Sequence, residues 1–382
     1  MVLMLINDWY GEIIDVETAF LYGELQEEIY MTIPSGLNKI MEQDLQGKCV
    51  TLRKSIYELV QTAREWWIIF TNSLKSKGFV KSRADNCLML RKTADGVVIL
   101  CIYVDDVCCI GDRKAVTAAI NDIEAIYSIK KIGELSEYIG VNIKNEGDMM
   151  YLSQQDSIKR LEKSFLDCVK QMKTYETPAG TNDTITRPEE EDGLLTTEKQ
   201  SYYQSGVGIL LWIMKHSCPD IANSVREASK VMDRANQAHW KYSMQIIKYV
   251  LDTRNQVLHY TKVPKKPNDI IEPEGYCDSD YAGDKDTRKS VTGYTIYLQG
   301  CLIAWKSKSQ KLVSLSSTEA KYVSISEIVK DLLFVKQVLE FLNQAIKLPI
   351  VIQVDNIGAI YMAENGSSNS QTKHVNVCYH FV

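Results

Sequence analysis

The chain has 382 residues, of which 45% are hydrophobic and 24% charged, and its formal net charge is −5. This length and composition fit two or three cored globular domains. The acidic total excludes a uniformly basic nucleic-acid binder, so any such contact must use local patches, and no apolar run reaches the roughly 18 residues of a membrane span.

Met1–Ile6 is apolar but short, lacks a basic flank and meets Asn7-Asp8 at once, so no signal peptide is expected. Ile13–Phe20 reads as a strand leaving into a turn. Ser55–Lys77 carries apolar residues at helical spacing, with Trp66, Trp67, Phe70 and Leu74 on or near one face and Gly78 as its stop. The apolar runs on either side of Tyr103-Val104-Asp105-Asp106 predict a hairpin over 97–110. Arg113–Tyr127 follows as an amphipathic helix with Val116, Ala119, Ile120, Ile123 and Ile126 inward. Glu137–Lys144 and Met149–Leu152 pair as strands about the turn Glu146-Gly147-Asp148.

Residues 176–200 read as a linker, broken by Pro178, Gly180, Pro188 and the solvated acidic run Glu189-Glu190-Glu191-Asp192. Helices follow over Tyr202–Lys215, from Pro219, and over His239–Leu251. Lys262–Pro273, with three prolines, is a second linker. Beyond it a strand carries Asp278 and Asp280, and further strands lie near Gly293–Leu298, Cys301–Lys306 and Leu312–Leu315. A long helix runs from Thr318 to about Leu342, capped by Ser316 or Ser317. A buried strand Pro349–Val354 ends at Asp355-Asn356, and a short helix Ile357–Ala363 stops at Asn365-Gly366. Strands, long helix, strand and helix form an α/β layer pattern with carboxylates at strand ends.

Two adjacent carboxylates on a rigid hairpin have two readings. Asp tolerates turn geometry and needs no further role. Alternatively the pair mounts Mg²⁺, which takes oxygen ligands, one or two of them carboxylates, together with substrate phosphates. Ten scattered cysteines without a CxxC pair read as reduced thiols of a cytosolic or nuclear chain. His374, Cys378 and His380 lack a fourth zinc ligand at a suitable spacing. Lys306, Lys308 and Lys311 beside Trp305 form either a phosphate-gripping patch or a solvated strand face.

The stretches IDVETAFLYGELQEEIYM, LRKSIYELVQTAREWW, IYVDDV, CPDIANSV, HWKYSMQIIKYVLDT, GYCDSDYAGDKDTRKSVTGY, AWKSKSQKLVSLSSTEAKY, VDNIGAI and QTKHVNVCYHF occur in this order. Together they closely resemble the Pol polyprotein of copia-type long-terminal-repeat retrotransposons, over nearly the whole chain. The resemblance implies an α+β polymerase palm-like domain of antiparallel sheet and helices over 1–175, a linker and helical connection over 176–262, and an RNase H-like α/β domain over 275–382. It implies RNA-directed DNA polymerase chemistry with two Mg²⁺ (or Mn²⁺) ions per catalytic site. The partners implied are an RNA template, a DNA primer, RNA/DNA hybrid and deoxynucleoside triphosphates, in a cytoplasmic particle or the nucleus. Asp15 and Asp105 match the palm metal ligands and Asp106 their supporting neighbour. Phe20 matches the aromatic that excludes a ribose 2′-hydroxyl, with a core phenylalanine as its plain alternative. Tyr103, Gln61 and Arg64 match substrate-binding positions, and Asp278 and Asp355 match RNase H metal ligands.

The sequence also departs from the family. The acidic helix position of RNase H is occupied by Lys321, and Glu319, about 200° away round the helix, reads as a carboxylate favoured at a helix N-terminus. Asn376 stands where the family often has an acid. The family's Tyr-Gly-Leu-Lys-Gln-Ala-Pro-Arg appears as Tyr57-Glu58-Leu59-Val60-Gln61-Thr62-Ala63-Arg64, replacing a glycine, a lysine and a proline. The resemblance implies that the basic fingers of the polymerase would lie upstream of the chain's start and that its end would cut the RNase H domain short. These departures predict weak or no primer extension. They leave open a second reading, a decayed or co-opted fragment that only binds nucleic acid or a partner, and a third, an open reading frame without a role.

Overall fold

The computed structural model describes residues 1–41, 47–180, 184–189, 193–263 and 270–365. They form two compact units, one of residues 7–135 and one of 1–6 with 136 onward.

The first unit is built on a six-stranded sheet, antiparallel throughout. Its spatial order is Val80–Lys81, Leu88–Thr93, Gly96–Tyr103, Asp106–Gly111, Tyr10–Val16, Ile129–Glu134. Alternation decides which side chains meet the helices. Ile14, Val98, Leu100, Ile102 and Val107 face Trp66, Phe70 and Leu74 of the helix Thr62–Ser76, and Val116, Ala119, Ile120 and Ile123 of the helix Arg113–Glu124. Each such side chain contributes about 1.5–3 kcal/mol when fully buried.

The first helix starts later than the periodicity predicts. Glu58 is held at φ +73°, a left-handed conformation that a helix cannot contain, and the Thr62 hydroxyl donates to the Ile56 carbonyl instead (2.7 Å). Gly78, at φ +87°, does end it. The second helix stops at Glu124, so Ile126 is 42% exposed and Tyr127 takes the inward place. Glu24–Thr32 and Cys49–Lys54 pair as a separate two-stranded sheet.

The second unit has three parts. Glu137–Tyr138, Val141–Glu146, Met149–Ser153 and Leu258–Thr261 form a four-stranded antiparallel sheet. The strand predicted over Glu137–Lys144 is interrupted by Ile139 and Gly140, both at positive φ, and the strand at 258–261 was not anticipated. Helices Gln155–Val169, Thr197–His216, Ala222–Ser229 and Gln237–Asp252 bury Phe165, Tyr203, Leu210, Val225 and Ile247 in a common core. Pro219 opens a 3₁₀ turn before the third of these, and Asn236 caps the fourth in a reciprocal pair with His239. Part of the expected linker joins this core: Ile185 is buried and its amide donates to Glu227 (2.8 Å).

The third part is a sheet in the order Cys301–Ser309, Val291–Leu298, Pro273–Asp280, Val351–Gln353, with the last strand parallel to its neighbour. The helix Ser317–Phe341 lays Tyr322, Val323, Ile325, Ile328 and Leu332 against Cys277, Tyr294 and Ile296. Ser316 caps it, its hydroxyl accepting from the Glu319 amide (3.1 Å). Two expectations fail here. Leu312–Leu315 forms no strand, and the strand near 349–354 is three residues long with Val351 half-exposed, because among the described residues it pairs on one side only. The short last helix spans Ile357–Asn365. The architecture is thus mixed, antiparallel sheets with helices, as the sequence predicts. Among the described residues no helix is long and apolar enough to cross a membrane, and every cysteine is free.

Candidate active site

The 97–110 hairpin forms where the sequence places it, with Tyr103 opposite Asp106. A two-residue loop with positive φ at its first central residue favours glycine there, yet that residue is Val104, at φ +58°. A β-branched residue in this region is strained. Two contacts hold it: the Trp66 indole N–H donates to the Val104 carbonyl (2.7 Å), and the Val16 amide donates to the Asp105 carbonyl (2.9 Å). The turn is therefore tied to the buried helix and to the neighbouring strand.

That neighbouring strand carries Asp15, directly opposite Asp106. Opposed residues of an antiparallel pair share a face of the sheet, so Asp15 and Asp106 meet, with Asp105 beside them at the turn. All three are half-buried. Burial first, then the Asp105 carboxylate, pushes the Asp15 carboxyl above its ordinary value, while Lys130 pulls the other way. Burial, then Asp105 and Asp15, does the same to Asp106. Among the described residues none of these carboxylates takes part in a side-chain hydrogen bond or ion pair. This leaves concentrated negative charge without a counter-charge in contact.

Such a donor set fits a hard divalent cation. No three acidic, histidine or cysteine side chains among the described residues form a closed metal-holding group. Mg²⁺ is commonly held by one or two carboxylates completed by substrate phosphates rather than by an all-protein cage.

The other residues expected at this site lie in the same unit. Phe20 packs against the core and meets Tyr57 edge-on, with ring centroids 4.9 Å apart. Tyr103 is 54% exposed at the hairpin tip. The Gln61 side-chain amide donates to Glu27 (3.2 Å), and the Arg64 side chain is exposed without a hydrogen bond or ion pair among the described residues.

In the second unit the parallel register Glu274↔Val351, Tyr276↔Gln353 runs toward Asp278 and Asp355, each two residues further along its chain. Their carboxylates are 70% exposed and converge on one group, the Lys321 ammonium, which donates to Asp278 (2.9 Å) and to Asp355. That hydrogen bond and charge hold the Asp355 carboxyl below its ordinary value. Glu319 turns away, buried, and accepts from the Leu315 amide (2.7 Å), a helix-terminus role as expected. Two lysines of the expected basic patch are compensated: Lys306 pairs with Asp331 (3.5 Å), Lys308 with Glu327 (3.4 Å), and the Trp305 indole donates to the Met214 carbonyl (2.8 Å). His374, Asn376, Cys378 and His380 lie outside the described residues.

Residues 1–178 match the family described as reverse transcriptase (RNA-dependent DNA polymerase). The chain is 32% identical over 380 residues to the retrovirus-related Pol polyprotein from transposon TNT 1-94 of Nicotiana tabacum, covering 97% of this chain and 28% of that protein. It is 30% identical over 378 residues to the corresponding polyprotein from transposon RE1 of Arabidopsis thaliana, covering 98% of this chain and 25% of that protein. A putative transposon Ty5-1 protein of Saccharomyces cerevisiae is 28% identical over 325 residues, 83% of this chain and the whole of that protein. The chain belongs to the Pol polyproteins of copia-type retrotransposons. It spans roughly a quarter of the plant Pol polyproteins it matches.

Two residues of this Pol chain's site escape sequence reasoning. Trp66 reads as a core residue from its helical spacing, and nothing in that spacing reveals that its N–H holds the turn. Lys130 stands opposite Asp15 on the outer strand, a placement that needs the strand register.

Proposed function

We propose that this chain carries the palm of an RNA-directed DNA polymerase, acting on a DNA primer, an RNA template and deoxynucleoside triphosphates. The observation that carries the reading is Asp15 opposed to Asp106 across adjacent strands, with Asp105 on the tethered turn between them. Asp15 and Asp105 would hold Mg²⁺ or Mn²⁺, two ions in the active complex, and Asp106 would keep the local charge negative. Bound there, divalent ions supply charge neutralisation to the triphosphate and acidify the primer hydroxyl. The strained, doubly anchored turn fixes the carboxylates before substrate arrives, and such preorganisation favours positioning. Phe20 would border the sugar of the incoming nucleotide, Tyr103 the primer end, and Gln61 and Arg64 the template and triphosphate.

The segment 273–365 reads as an RNase H-like domain. Its sheet order, its parallel fourth strand and the acids at neighbouring ends of two adjacent strands support this reading. A second functional reading, nucleic-acid binding without chemistry, is favoured by Lys321 standing between Asp278 and Asp355.

The test is extension of a DNA primer on an RNA template with Mg²⁺ or Mn²⁺. Slow extension that is lost in Asp105→Asn is expected. Binding of the primer–template without any extension selects the second reading.

A further inference from the structure

We infer that Lys321 is a tethered cation that occupies the divalent-metal position of the second acidic pair, so that Asp278 and Asp355 take up no metal in this chain. The inference rests on reading those two residues as a potential metal-holding pair, and it is independent of the polymerase assignment.

The geometry argues it in three steps. The parallel register brings the two carboxylates to the same level, Asp278 near the end of its strand and Asp355 just past the neighbouring one. Lys321 lies in the early turns of the helix that packs on the first of these strands, and its aliphatic stem is covered, leaving the side chain only 14% exposed. The ammonium thereby reaches both carboxylates at once, at 2.9 Å from Asp278 and in direct contact with Asp355.

A divalent ion shared by the two acids would need the space this nitrogen fills, and two like charges cannot occupy it together. Beside the pair opens a cavity of about 670 Å³ lined by Tyr276, Trp305, Lys306 and Gln353 as well as the two acids. The locked pair thus borders open, aromatic-walled space rather than being sealed in the core, and solvent or ligand reaches it freely.

The test is iron-directed cleavage of the full-length chain. Fe²⁺ with ascorbate and peroxide cuts the backbone next to wherever the ion binds in place of Mg²⁺. Wild type is expected to show no cuts flanking 278 and 355. Lys321→Glu replaces the ammonium by a ligand and is expected to gain both, and adding Asp278→Asn is expected to abolish them. Lys321→Met removes the charge without supplying a ligand and is expected to gain weaker cuts. It carries the comparison should Lys321→Glu not fold, with circular dichroism as the fold check. Wild-type cuts at 278 and 355 as strong as those of the variants would overturn the inference. So would folded Lys321 variants that remain uncut there. Cuts flanking 15 and 105 report on the polymerase centre separately, and their absence counts against that reading alone.

Discussion

Neutralising Asp106 should stabilise the protein in the absence of metal. Asp106 faces Asp15 directly across an antiparallel pair, where Cβ atoms lie about 4.5–5.5 Å apart and pair energies run to about 0.2–1 kcal/mol. Asp106→Asn removes that repulsion and a further one from Asp105, and solvent screening of these half-buried groups keeps the gain near that range. The pH dependence has a definite sign. Both Asp15 and Asp106 have carboxyls raised above their ordinary value, first by burial and then by Asp105, with Asp15 adding to the shift of Asp106. The native state therefore binds more protons than the unfolded state between the unfolded and folded pKa values, and stability falls as pH rises through that window. Below the unfolded value the penalty is absent, and above the folded value it is complete.

Other acids act oppositely. Despite burial, which opposes it, Arg91 and Lys77 pull the Asp122 carboxyl down, so its contribution is lost as pH falls. The informative quantity is accordingly the difference between wild type and Asp106→Asn in urea midpoint, followed by tryptophan fluorescence. It should favour the variant at neutral pH and vanish at acidic pH. Added Mg²⁺ should stabilise wild type more than the variant, by linkage. A variant less stable than wild type at neutral pH without metal would refute the argument.

Three further outcomes are expected. Trp66→Phe removes the donor to the Val104 carbonyl and leaves space in a side chain only 1% exposed, so thermal unfolding should show a loss of about 1–3 kcal/mol, and metal affinity at the turn should fall with it. Glu58→Gly relieves a left-handed conformation costing about 1–2 kcal/mol, against about 0.5–1 kcal/mol of added chain entropy, so its urea midpoint should rise slightly or hold. Glu227 is 1% exposed and accepts from Arg226 (2.5 Å), Lys230 (2.8 Å) and the Ile185 amide (2.8 Å). Glu227→Ala should cost about 3–5 kcal/mol, because Arg226 loses its carboxylate and the Ile185 amide its acceptor, while Lys230 keeps Asp284 (2.6 Å), and an unchanged midpoint would contradict that.

The hairpin was legible because continuous apolar runs and their interruption by Asp105-Asp106 need no partner to be recognised, whereas Asp15 was singled out only by the family resemblance. The Ser55–Gln61 segment misled because its composition suits a helix, while the fold holds Glu58 at positive φ. That residue stands where the family motif has glycine, which tolerates the conformation without strain. The strand Leu258–Thr261 was invisible because only its pairing with Met149–Leu152, over a hundred residues earlier, creates it. Leu312–Leu315 looked like a strand by residue type, yet Val313 and Leu315 are exposed and no ladder partner exists for them among the described residues. The convergence of Lys321 on Asp278 and Asp355 was half legible. The substitution is plain in the sequence, but that the ammonium bridges both acids depends on strand register and helix packing.

The most direct test of the polymerase centre is calorimetric titration of Mn²⁺ into the chain with a deoxynucleoside triphosphate present. Heat is measured for wild type, Asp15→Asn and Asp105→Asn, each against a nucleotide-only blank. The account predicts uptake beyond the blank by wild type and its loss in either variant. Identical heats from all three proteins would contradict it.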